Sequence, residues 1–127
     1  MSKITKVEFT EVDRSIKNKY TIYVSNEKCY IEYKIIGSLN NSNDKIIISN
    51  EEYELIINHL LKYYKILSWK NVYENKDFSI SNNEWSLLIY NNNEVNKEII
   101  GYNKYPKNYN SFKNYIVNKY NTLKIKY

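Results

Sequence analysis

At 127 residues, with 43% hydrophobic and 26% charged side chains and a net charge of +5, the chain has the balance of one folded domain, residues 1–127, rather than of a disordered tail. One cysteine excludes an internal disulfide, and two glycines sixty-four positions apart exclude a Gly-rich phosphate loop. The N-terminus has no apolar core of signal-peptide length, and no run approaches the roughly 20 apolar residues that span a bilayer, so a reducing, cytoplasmic setting is expected.

Residues 4–12 alternate, with Val7 and Phe9 on one face and Lys6, Glu8 and Thr10 on the other, the pattern of a half-buried strand. Residues 20–24 and 29–36 repeat it around Ser-Asn-Glu-Lys, which predicts a hairpin of β-branched and aromatic residues. The polar run from Ser38 to Asp44 reads as a surface loop, with a short strand leaving it over Lys45–Ile48. Ser49-Asn50-Glu51-Glu52 is a capping box, flanked by Ile48 and Tyr53 where a hydrophobic staple would sit. Acids in the first turn and Lys62 and Lys65 in the last suit the helix dipole, and Tyr53, Ile56, Ile57, Leu60, Leu61, Tyr64 and Leu67 form one apolar stripe.

Residues 68–83 are irregular and polar apart from Trp69, Val72, Tyr73, Phe78 and Ile80. A second hairpin follows, with Trp85, Leu87 and Ile89 on one strand, a turn at Asn91-Asn92-Asn93 and a return strand from Glu94 to Gly101. The run Leu87-Leu88-Ile89 predicts a strand covered on both faces. Beyond it Phe112, Tyr115, Ile116, Tyr120 and Leu123 recur at helical spacing, with Pro106 upstream and Asn108 in position to cap. The order β-β-β-(β)-α-β-β-α predicts an α+β fold: an antiparallel sheet of five to six strands with two helices packed on one face.

Trp69, the strand Trp85-Ser86-Leu87-Leu88-Ile89, the run Gly101-Tyr102-Asn103-Lys104-Tyr105-Pro106, and Tyr109 and Phe112 carry a resemblance. Over a third to a half of its length the chain resembles small bacterial proteins of undescribed activity, in which a Trp-x-Leu-x-Ile strand runs into a return strand ending Gly-x-Asn-x-Tyr-Pro before a final helix. Those proteins often carry Asp-Gly before the strand Trp, where this chain has Asn82-Asn83-Glu84. The resemblance implies the architecture and no activity. At Gly101 either a positive φ or a close approach that forbids a Cβ is expected, Asn103 can bond nearby backbone, and the Tyr105–Pro106 bond has an accessible cis form.

Catalytic constellations are scarce. His59 is the lone histidine, mid-helix beside Leu55 and Tyr63, and reads as a boundary residue. Cys29 reads as a buried thiol in a strand, and one His with one Cys falls short of a structural zinc site. Glu51, Glu52 and Glu54 are explained by the helix start, leaving Asp44, Asp77 and Glu84 as loop acids that could converge on a metal. No cofactor or metal and no enzymatic activity are therefore expected.

Composition has a cause outside function, because Lys, Asn, Ile and Tyr are all encoded by AT-rich codons, and Arg14 stands alone against eighteen lysines. Placement is more informative. Residues 1–98 carry a net charge of −1, whereas residues 99–127 hold six lysines and no acid. The expected binding residues are Lys104, Tyr105, Lys107, Tyr109, Lys113 and Lys119, with lysines drawing phosphate and tyrosines stacking on bases. A solvated lysine face on a helix is the competing explanation. A small chain poor in reactive groups and rich in Tyr is read as a binding module with a protein partner. Its concrete form is an anti-CRISPR-like inhibitor, phage- or mobile-element-encoded, of a nucleic-acid-handling host protein. The alternative is an accessory protein that binds RNA or single-stranded DNA directly through this segment, and a metal-dependent enzyme stands third.

Overall fold

A computed structural model describes residues 4–13, 18–37, 41–75 and 83–126. The strands are β1 (Ile4–Asp13), β2 (Asn18–Ser25), β3 (Tyr30–Ile36), β4 (Asn41–Ile47), β5 (Val72–Glu74), β6 (Asn83–Asn91) and β7 (Glu94–Tyr102). They form one sheet in the order β4-β3-β2-β1-β6-β7-β5. Every neighbouring pair is antiparallel except β5, which runs parallel to β7. Helices α1 (Asn50–Asn58) and α2 (Tyr109–Lys126) complete an α+β fold.

Register explains which face is covered. Phe9 lies opposite Leu87 on β6, and Leu87 lies opposite Ile99 on β7, so all three point to the same side. On that side Phe9 meets Phe112 of α2 edge-on, at 5.1 Å between ring centroids. The core gathers Val7, Phe9, Val24, Ile31, Leu87 and Ile89 from the sheet with Tyr53, Ile56, Ile57 and Leu60 from the first helical segment and Phe112, Ile116 and Leu123 from α2. Alternation along β6 buries Trp85, Leu87 and Ile89, while Leu88 on the opposite side is only half-buried. The helices thus cover one face, and the expectation of a strand buried on both is corrected.

The capping box forms: the Glu52 amide donates to the Ser49 hydroxyl at 3.0 Å, and Ile48 and Tyr53 are both buried. The helix does not run to Leu67. It passes at His59–Tyr63 into a π turn, where the Tyr64 amide reaches the His59 carbonyl at 3.2 Å, and Lys65 adopts a left-handed φ of 52°. The wider turn and the reversal at Lys65 shift the apolar register, so Ile66 is wholly buried and Leu67 is 42% exposed.

Four further expectations change. Val72–Glu74, in the run expected to be irregular, forms strand β5 and brings the sheet to seven strands. The presumed loop contributes edge strand β4 from Asn41 onward, with Ile36 opposite Asn41. Its Asn and Ser side chains are exposed, so no hydrophobic alternation marked it. Cys29 is a half-buried turn residue at φ 37° instead of a strand residue. The second hairpin turn is the two-residue type, with Asn92 and Asn93 both at positive φ, the twist that matches paired strands. Phe78, Ile80 and Asp77 lie outside the described residues.

Candidate functional site

Gly101 decides the shape of the connector between β7 and α2. Its φ is not positive; the close-approach alternative holds, since a Cβ there would stand 1.7 Å from Trp85 Nε1. The indole of Trp85 therefore packs directly on Gly101, and its Nε1 donates to the Lys104 carbonyl at 2.9 Å. Asn103, at φ 53°, locks the strand end: its Oδ1 accepts from the Asn83 amide at 3.1 Å, and its own amide donates back to the Asn83 carbonyl at 3.0 Å. The Tyr105–Pro106 bond is trans. Tyr105 then stacks over Trp85 at 6.3 Å and 16° and touches Tyr109 at 4.6 Å, leaving 41% of its surface open.

A second wall comes from the end of the first helical segment. The Asn108 side-chain amide donates to the Tyr64 carbonyl at 3.1 Å, and the Tyr64 hydroxyl reaches the Ser111 carbonyl at 3.0 Å. Asn108 therefore ties α2 to the π turn with its side chain, while its backbone carbonyl accepts from Phe112 in the first turn of α2. Lys97 Nζ donates to the Leu67 carbonyl at 2.9 Å and fixes the short 3-10 turn, Ile66–Ser68, against β7.

Between the walls lies an open groove of about 620 Å³. Trp69, Tyr64 and Pro106 form its buried floor, and Tyr63 and Tyr105 stand on its sides. Lys65 and Lys70 enter from one wall, Lys104 and Lys107 from the other, and no carboxylate lines it among the described residues. Burial, and secondarily the charge of Glu11, raises the Tyr105 pKa, so that phenol stays a neutral donor at physiological pH.

The structure divides the expected binding residues. Lys104, Tyr105 and Lys107 line the groove. Tyr109 does not: it is 4% exposed, its ring packs on Phe9 and Trp85, and its hydroxyl donates to Glu11. It is a core residue, and its place in the expected set is corrected. Lys113 pairs with Glu11 at 2.8 Å and Lys119 with Glu52 at 2.9 Å, as Lys124 does with Asp44 at 3.1 Å. Those lysines fasten α2 to its neighbours, so the acid-free segment is not one continuous cationic surface. Sequence reasoning missed Lys65, Lys70 and Tyr63, which lie about forty residues upstream. The one local signal was the lysine at the helix end, which the dipole already explained.

His59 sits in the π turn with its ring stacked on Tyr63, and no group of three or more His, Cys, Asp or Glu could hold a metal ion among the described residues. Asp44, a candidate loop acid, faces α2, where the Tyr120 hydroxyl donates to it at 2.5 Å. No described helix is long and apolar enough to cross a membrane. No protein-family model matches the chain, and no curated protein or solved structure matches it.

Proposed function

We propose that the protein is a non-enzymatic binding protein that holds nucleic acid by its phosphate backbone in the groove between the π turn and the connector. The observation that carries this reading is the convergence of Lys65, Lys70, Lys104 and Lys107 on one concavity lined by no described carboxylate. Lysine is a compact point charge on a flexible stem, suited to phosphate without base discrimination. Four such contacts predict that log K falls with log salt at a slope of about −3 for a single strand. The test is fluorescence anisotropy of a labelled oligonucleotide across a salt series. Lys104→Gln with Lys107→Gln should flatten the slope by about half, since two of four contacts are lost. Absence of binding at low salt overturns the reading.

A second reading has its own observation: Tyr63, Leu67 and Val72, at and beside the groove, are exposed apolar surface that a protein interface could bury. On that reading the chain is an inhibitor of a nucleic-acid-handling protein, of the kind phages and mobile elements direct at RNA-guided nucleases. Its lysines would then dock an acidic face of the target. A purified nuclease that binds the chain at low salt, where oligonucleotide does not, would favour it.

A further inference from the structure

Within the π turn, the imidazole of His59 takes part in two stacking contacts. Tyr63 stacks on it at 4.8 Å and 10°, and Tyr115 of α2 stacks on it at 4.2 Å and 28°. Tyr63 and Tyr115 thus both stack on the imidazole, and the three rings form a bent stack. Tyr64 packs inside the bend of this stack: its centroid is 4.8 Å from Tyr63, 5.2 Å from His59 and 5.8 Å from Tyr115, and its ring is steeply inclined to the first two. Tyr63 is the exposed ring of this stack, at 66%, and borders the lysine groove.

Several features make that ring more than an exposed tyrosine. The ring is held from behind by His59, so a ligand ring stacking on it finds a platform already in place, with little ordering left to do. The turn that sets this geometry is a π turn, a local device that recurs at functional positions in helices. The lysines sharing the groove with Tyr63 bring a phosphate backbone to the same place. A nucleobase supplies such a ring, planar and uncharged and joined through its sugar to the phosphate backbone.

The geometry points to Tyr63 as a stacking platform for an unpaired nucleobase, which extends the Tyr115–His59–Tyr63 stack by a fourth ring while the groove lysines hold the flanking phosphates. This rests on the phosphate-backbone reading above and adds that the strand must offer a base free of its Watson–Crick stack. Base–aromatic stacking contributes roughly 5- to 150-fold in affinity per base.

The experiment measures binding of the full chain to three labelled probes at one low salt concentration: a short oligothymidylate, an oligouridylate of the same length, and an abasic strand with the same number of phosphates. A preference of roughly 5-fold or more for either base-bearing strand over the abasic one is expected, and the two arms separate DNA from RNA as the source of the base. Tyr63→Ala, at an exposed position, should abolish the preference for base-bearing strands, and Tyr63→Phe should retain it. Equal affinity for all probes, or a preference untouched by Tyr63→Ala, overturns the platform and leaves the phosphate-backbone reading standing. Failure of every probe to bind removes both, so the two failures are distinct.

Discussion

Lys104 and Lys113 stand nine residues apart in one acid-free segment, yet their surroundings are opposite. Lys113 lies against Glu11 at 2.8 Å, and Lys119 and Lys124 repeat the arrangement with Glu52 and Asp44. Lys104 and Lys107 sit on a rigid connector facing Lys65 and Lys70 across a groove without described carboxylates. The acids are on strands β1 and β4 and on helix α1, so the sheet and α1 neutralise the far part of α2 and leave its approach cationic. A run of one charge in a sequence is therefore not a patch until the partner elements are in place.

Six substitutions would break or sharpen that division. The largest effect is expected at Trp85, whose indole shapes the connector through Gly101 and the Lys104 carbonyl; Trp85→Ala should cost about 3–5 kcal/mol in chemical denaturation. Gly101→Ala forces a methyl into that indole, which is packed and cannot withdraw, and about 1–3 kcal/mol is expected by the same measurement. Both should also weaken oligonucleotide binding by loosening the wall that carries Lys104 and Lys107.

Lys113→Glu and Lys119→Glu probe the other half. Each places like charges together at a partly exposed site, so a loss of about 1 kcal/mol in stability is expected with a change in binding far smaller than that of Lys104→Gln with Lys107→Gln. Equal loss of binding from both sets would erase the division.

The smallest effect concerns pH. A hydrogen bond from Tyr120 and, after it, Lys124 hold the Asp44 carboxyl below its usual value of 3.8. Its folded pKa is depressed, so its contribution is complete above the unfolded value and is lost as pH falls from about 4 through the folded pKa. Asp44→Asn should therefore flatten the acid limb of the stability curve below about pH 4, without changing binding at neutral pH. At the alkaline end, burial first and the charge of Glu52 next push the Tyr115 phenol up to about 12. That raised value contributes stability below the ordinary phenol range and loses it as pH climbs toward 12, so Tyr115→Phe should reduce alkaline sensitivity.

Much of the fold was legible because local physics fixes it. The Ser49–Glu52 box marked a helix start, alternation marked β1, β2, β3 and β6, and the asparagine run Asn91-Asn92-Asn93 marked the turn into β7, each within a few residues of chain. What failed had no local signal. Edge strand β4 opens with the exposed polar residues Asn41, Ser42 and Asn43, so no apolar alternation announces it. The π turn and the left-handed Lys65 moved burial from Leu67 to Ile66 without leaving a mark in the periodicity. Half of the groove was legible as Lys104, Tyr105 and Lys107. The other half was not, because Lys65, Lys70 and Tyr63 belong to a different segment that only packing brings alongside.

By itself the sequence determined most of the element types, most of the buried stripes and the acid-free character of residues 99–127, because helix caps, strand alternation and charge are short-range properties. Tertiary structure alone decided which lysines are neutralised, which tyrosines are core and which face a groove. Those outcomes depend on Coulombic and packing contacts across as many as 98 residues of chain, as between Tyr109 and Glu11, and no local pattern encodes them.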